Sequence, residues 1–178
     1  MQPSRLALGF VLGLGLLCAS SSAEAQTRNI SVSLLAGSGV SFGTGSGQSI
    51  LRHSPTHLDL AFRTWVSEGK HLRNPIVGAA LRIEVEGRAS VGIVPRAELM
   101  QTLGSVQIRP FVGVPFFFAP FSLLGAEVGA ALTFQLHGQT NVLVTVVVDA
   151  YFWGSDLPDG QAIVSLNVGI GFELGMKI

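Results

Sequence analysis

The chain has 178 residues, of which 12% are charged, and its 11 basic and 11 acidic side chains leave no net charge. Soluble domains average about 25% charged residues, so this apolar composition, with a mean hydropathy of +0.51, indicates a large core or contact with lipid. A nucleic-acid partner is excluded, because its binding surface would need a basic excess that the sequence lacks.

The N-terminus has the pattern of a secretory signal peptide. Arg5 precedes an apolar run over 6–17, and small residues then lead to Ala23-Glu24-Ala25, an A-x-A cleavage site. The run is too short for a membrane-spanning helix, which needs about 20 apolar residues. We therefore expect a cleaved signal peptide at 1–25 and a single mature domain at 26–178. The only cysteine, Cys18, lies in the signal, so the mature domain has no disulfide or cysteine-bound zinc.

From Asn29 onward, apolar and polar residues alternate with period two, which predicts β-strands. Most connections are short, so neighbouring strands should be antiparallel. One connection, 38–55, is rich in Gly and Ser and is expected to be a long loop. Pro95, Pro110 and Pro115 fall inside strands and are expected to mark bulges or strand ends, because proline donates no ladder hydrogen bond. The predicted strands number about eight and lie near 29–37, 57–66, 76–86, 88–98, 105–118, 123–136, 141–153 and 161–178.

The two faces of these strands differ in a way that favours lipid outside. One face is apolar, and the other combines glycines with charges of both signs but almost no lysine. A barrel of about eight strands is just wide enough for side chains to fill it, and buried charges need partners of opposite sign. A soluble, lipocalin-like barrel with the apolar face inside is the alternative.

The polar face therefore predicts a charge network in the lumen. Arg109 and Glu127, on neighbouring strands, are the expected central pair. Arg88, Glu86 and Glu98 lie on the same face. The predicted network consists of Asp59, Arg63, Arg82, Glu84, Arg96, Arg109, Glu127, Asp149 and Glu173.

The last strand carries a recognisable pattern. Residues 167–174 read polar, any, glycine, any, any, aromatic, any, hydrophobic, with Asn167, Gly169, Phe172 and Leu174 at the defined positions. With this pattern in its last strand, the chain resembles the small bacterial outer-membrane β-barrels of OmpA/OmpX-like architecture, whose last strand is recognised by the insertion machinery. The chain departs from the pattern because four residues follow and it ends in Ile178.

The resemblance implies an all-β, about eight-stranded antiparallel transmembrane barrel in the bacterial outer membrane, with lipid and lipopolysaccharide around it. Both termini would be periplasmic, and the segments 38–55 and 154–160 would be extracellular. Aromatic residues would form girdles at the two interfaces. The inner girdle would contain Trp65 and Phe134. The outer girdle would contain Phe116, Phe118, Phe121, Tyr151, Phe152 and Trp153.

A structural or interaction barrel is the favoured function, without cofactor or metal. A small-solute channel is disfavoured by the narrow, charged lumen. A lipid-modifying hydrolase or acyltransferase is a further alternative, suggested by Ser54, His57 and Asp59. The glycine-rich stretch 43–47 lacks the lysine of a phosphate-binding loop, and His53 with His57 has no third metal ligand at a suitable spacing.

Overall fold

The computed structural model describes residues 27–45, 48–67, 73–86, 89–155, 157 and 161–177. The predicted signal peptide and Arg88 lie outside them. The described residues contain no helix that is long and apolar enough to cross a membrane. The strands are β1 (Thr27–Gly45), β2 (Gln48–Ser67), β3 (Arg73–Glu84), β4 (Ser90–Leu103), β5 (Val106–Gly113), β6 (Phe116–Ala119), β7 (Leu123–His137), β8 (Thr140–Gly154) and β9 (Ala162–Lys177).

The strands form one antiparallel sheet that closes into a ring. Strands that are neighbours in sequence pair with each other, except that β5 does not pair with β6, and β1 pairs with β9 to close the ring. β5 and β6 both lie between β4 and β7, so the ring has eight strand positions. The predicted antiparallel barrel of about eight strands is confirmed. We call one end the short-turn end, after the turns at 104–105 and 138–139, and the other the long-hairpin end.

Proline explains why nine strands occupy eight positions. The predicted strand at 105–118 is interrupted at Val114 and Pro115, and its halves are β5 and β6. Val114 N donates to the Pro95 carbonyl (3.1 Å), and Gly125 N donates to the Pro115 carbonyl (3.0 Å), so the wall stays closed across the break. Pro110 lies inside β5, where the β4–β5 ladder lacks two residue pairs between Glu98↔Phe111 and Gln101↔Ile108 although the register is unchanged.

The expectation of a long loop at 38–55 is wrong. β1 and β2 continue through this segment as a paired hairpin, with Val40 opposite His53 and Phe42 opposite Leu51. Gly and Ser weaken strand propensity, but pairing along both edges of β1 overrides a local preference of this kind. The hairpin projects at the long-hairpin end.

The wall is apolar outside and polar inside. Outward side chains such as Ile170 and Phe172 are 63% and 59% exposed, whereas Arg82 and Glu127 are each 2% exposed. A soluble barrel would need the opposite arrangement, because buried apolar groups would form its core. The predicted orientation of the two faces, with lipid outside, therefore agrees with the structure.

The aromatic girdles are smaller than predicted. Phe116, Phe118, Phe152 and Trp153 are exposed near the long-hairpin end, and Phe134 is exposed on β7. The expectation is wrong for Tyr151 and Phe121, which pack inside with Phe117; the Tyr151 and Phe117 rings lie 5.9 Å apart. Trp65 is half-buried and lines a cavity at the short-turn end. Tyr151 precedes the outward Phe152, so strand alternation places it inward.

Candidate functional site in the barrel lumen

Charged side chains meet in the lumen in two groups. The upper cluster lies nearer the long-hairpin end and consists of Asp59, Arg82, Arg96, Glu127 and Asp149. The lower cluster lies nearer the short-turn end and consists of Arg63, Glu98, Arg109 and Glu173. Each of these side chains is at most 8% exposed.

Arg82 is the centre of the upper cluster. Its Nε and Nη2 bind the two oxygens of Asp59 at 2.8 and 3.0 Å. Nη2 also donates to Glu127 (2.8 Å), and Nη1 donates to Asp149 (3.1 Å). Arg96 completes the group by donating to both Glu127 oxygens (2.6 and 2.9 Å) and to Asp59 (2.8 Å). Two guanidinium groups are thus shared among three carboxylates, in the fork geometry that makes arginine pairs strong.

The lower cluster is built in the same way but with fewer contacts. Arg63 donates to Glu98 (2.7 Å), to Ser33 Oγ (2.6 Å) and to Glu173 (3.3 Å). Arg109 Nη1 donates to both oxygens of Glu173 (2.8 and 3.1 Å). Its Nε lies 3.9 Å from Glu98 Oε2, which is an ion pair but not a hydrogen bond.

Glycines on the neighbouring strands make room for these long side chains. A Cβ at Gly113 would lie 2.9 Å from Glu127 Oε1 and 3.2 Å from Arg96 Cγ, and one at Gly78 would lie 3.0 Å from Arg63 Cγ. The glycine-rich polar face in the sequence therefore reflects a packing requirement of the charged lumen.

Two expectations about pairing need correction. Arg109 and Glu127 do not form the central pair, because Arg109 lies opposite Ala131 in the β5–β7 register whereas Glu127 lies opposite Gly113. Arginine side chains instead reach across the lumen, as Arg109 does to Glu173. Glu84 lies at the edge of the network, where it accepts a hydrogen bond from Ser90 Oγ (2.6 Å) and lines a cavity at the long-hairpin end.

Sequence reasoning missed an apolar layer inside the barrel. Arg96 Cζ stacks 5.1 Å from the centre of the Phe111 ring, which links this layer to the upper cluster. The layer consists of Leu35, Phe111, Ala131, Leu143 and Val147. All five lie at inward-facing positions of their strands, so strict alternation could have placed them inside the barrel. Their hydrophobicity instead suggested the lipid-facing side. Asn167, which donates to Asp149 (2.9 Å), was likewise missed as a network member.

Together the clusters and the apolar layer divide the lumen. A cavity of about 370 Å³ opens at the long-hairpin end, and one of about 580 Å³ opens at the short-turn end. A third, small cavity of about 10 Å³ is bordered by Asp59, Arg82, Arg96 and Phe111. A space of this size holds about one water molecule.

Solved structures of bacterial outer-membrane proteins are similar to this chain over most of its length. Ail, the attachment invasion locus protein of Yersinia pestis, is 15% identical, with a TM-score of 0.52 over 82% of this chain and 98% of Ail. Neisserial surface protein A (NspA) is 7% identical, with a TM-score of 0.50 over 82% of this chain and 96% of NspA. The chain has the fold of a bacterial outer-membrane β-barrel. No protein-family model and no curated protein sequence matches it.

The residues suggested for enzymatic chemistry do not form a site together. His57 and Asp59 point into the lumen and are 5% and 2% exposed, and Asp59 is bound by Arg82 and Arg96. Ser54 is buried as well, and within the described part of the chain no hydrogen bond joins it to His57. No cluster of three or more histidine, cysteine or acidic side chains suited to a metal ion occurs among the described residues.

Proposed function

We propose that the chain is a structural or interaction barrel of the bacterial outer membrane, processed after residue 25, with a lumen plugged by its own charges. The observation that carries this proposal is the set of arginine–carboxylate contacts across the lumen, some of which border a small cavity of about 10 Å³. A transmembrane pore for solutes would need a continuous water-filled path, which barrels of about eight strands are too narrow to supply once side chains fill them. The small-solute channel is therefore the weaker candidate.

Planar-bilayer recording tests the plug. The purified, refolded protein is expected to give no stable conductance steps under salt and voltage conditions in which a larger porin conducts. The arginine–carboxylate contacts are short and desolvated, so they should not open spontaneously. Reproducible, ion-selective steps from the unaltered protein would contradict the plug and promote the channel.

The proposed orientation places the short turns in the periplasm and the long-hairpin end at the cell surface, as in barrels with short periplasmic turns and longer outer loops. Outer-membrane lipid and lipopolysaccharide would then surround the apolar wall. The insertion machinery would recognise the last strand, β9, where Phe172 and Leu174 face outward at 59% and 54% exposure.

Surface labelling tests this orientation, because the predicted mature domain contains no cysteine. A Cβ at Gly43 would meet no atom within 4 Å, so Gly43→Cys should be tolerated and should react on intact cells with a maleimide that cannot cross the outer membrane. Ser105→Cys, at an exposed position in a short turn, is the matched control and should react only after lysis. The reverse labelling pattern would show that the barrel has the opposite orientation in the membrane.

A further inference from the structure

Three polar side chains from separate segments meet at the long-hairpin end. Ser38 Oγ lies 3.1 Å from His53 Nε2, and His53 Nδ1 lies 3.3 Å from Glu86 Oε2. A serine, an imidazole and a carboxylate joined in this order form the relay that activates serine nucleophiles on unrelated folds. We propose that Ser38 and His53 are the catalytic residues, and Glu86 the positioning residue, of a hydrolase whose substrate is a long-chain acyl ester of a membrane lipid.

The backbone at Ser38 is irregular in a way that suits such a site. The β1–β2 register steps from Gly37↔His57 to Gly39↔Ser54, so the single residue Ser38 lies opposite two residues of β2, Pro55 and Thr56, and β2 carries one extra residue. Bulges of this kind re-aim side chains and are over-represented next to active sites. Here the bulge brings Ser38 and His53 together, although they lie 15 residues apart.

The bulge also positions the carboxylate. Thr56 N donates to Glu86 Oε2 (3.1 Å), and Val85 N donates to the Thr56 carbonyl (2.9 Å). Hydrogen bonding from Thr56 lowers the pKa of Glu86, so this side chain is anionic at neutral pH, as an ordinary glutamate is. An anionic Glu86 favours the proton on His53 Nδ1, and Nε2 is then free to accept from the Ser38 hydroxyl. The Ser54 carbonyl, 3.2 Å from Ser38 Oγ, offers the same hydroxyl a second acceptor.

The surroundings of Ser38 indicate the substrate. Ser38 has the outward parity of Leu34 and Val40, and its partner on β9 is Val168, which is 54% exposed. Phe42 and Leu51, at 46% and 62% exposed, continue this apolar surface toward the hairpin tip. An acyl chain lying against the wall would bring its ester to Ser38, if the wall faces lipid as proposed above. Polar groups are costly on such a surface and are usually functional.

The chemistry needs no reagent beyond water. Ser38 Oγ attacks the ester carbonyl while its proton passes to His53 Nε2, and the C–O bond to the alcohol breaks as His53 returns that proton to the leaving oxygen. Water then attacks the acyl-serine, His53 accepts its proton, and the fatty acid leaves as Ser38 regains the proton. Glu86 stabilises the imidazolium in both steps. This activity goes beyond the proposed barrel function and departs from the expectation of a structural or interaction barrel without enzymatic activity.

Covalent labelling and lipid hydrolysis test the proposal on the full refolded barrel. A long-chain alkyl fluorophosphonate is expected to modify Ser38, as located by mass spectrometry of peptides. Incubation with vesicles of phosphatidylethanolamine and phosphatidylglycerol, and separately with lipopolysaccharide, is expected to release free fatty acid from one of them, which identifies the source of the ester. Ser38→Ala should abolish labelling and lower release at least about 100-fold, and His53→Gln should do the same.

Ser41→Ala is the matched control. Ser41 lies on the same hairpin, and its hydroxyl donates to the Arg52 carbonyl (3.5 Å) rather than contacting a histidine. This variant should label and hydrolyse like the unaltered protein, and heat-dependent migration in detergent gels checks that every variant is folded. Absence of labelling at Ser38, release that Ser38→Ala leaves unchanged, or no release from either lipid would overturn the proposal. None of these outcomes affects the conductance test.

Discussion

Arg82→Ala is expected to destabilise the barrel by about 3–5 kcal/mol, the cost of leaving buried charges without their partner. Arg82 is 2% exposed and contacts three carboxylates, those of Asp59, Glu127 and Asp149. Without it, Arg96 would still bind Asp59 and Glu127, but Asp149 would keep only the amide of Asn167 among the residues that the structure describes. Urea unfolding of the protein in lipid vesicles, followed by tryptophan fluorescence, measures the change.

Two variants make this experiment specific to the charge cluster. Arg52→Ala removes an exposed arginine at the long-hairpin end and is expected to change stability by less than about 0.5 kcal/mol. Adding Asp59→Asn to Arg82→Ala should recover part of the loss, because it removes one of the uncompensated charges, and this coupling measures the interaction. If Arg82→Ala were no worse than Arg52→Ala, the clusters would not hold the lumen together.

Leu132→Arg is expected to cost about 2–4 kcal/mol, the value for arginine on the lipid face near the middle of the bilayer. Leu132 is an outward residue of β7, 38% exposed, and lies between Ile108 and Val144 on the neighbouring strands. To reach water, the introduced charge would have to extend to a membrane interface along an outer surface that is apolar on both neighbouring strands. The same unfolding measurement applies.

Leu136→Arg is the control because it is the same substitution on the same face of the same strand. Leu136 lies one residue before the end of β7 at the short-turn end and is 66% exposed, so its charge would reach the interface at a cost of about 0–1 kcal/mol. Equal costs at the two positions would mean that the wall does not experience a depth-dependent lipid environment.

The sequence determined the class of fold and the direction of each face. Apolar and polar residues alternate in almost every strand, because successive side chains face lipid and a narrow lumen in turn. Each residue must therefore suit the side that it faces. Arg82, Arg96 and Glu127 were therefore predicted to lie inside the barrel from parity and charge alone. The glycines beside them were explained by the same reasoning.

Only the tertiary structure decided which charges pair and where polar groups meet. Arg109 binds Glu173, 64 residues away, because ring closure brings distant strands within the reach of an arginine side chain, and a sequence does not display the stagger of a closed sheet. Ser38, His53 and Glu86 escaped prediction for a related reason. The bulge at Pro55 and Thr56 changes the parity of β2, so a shift of register, which no local propensity encodes, places these three side chains together.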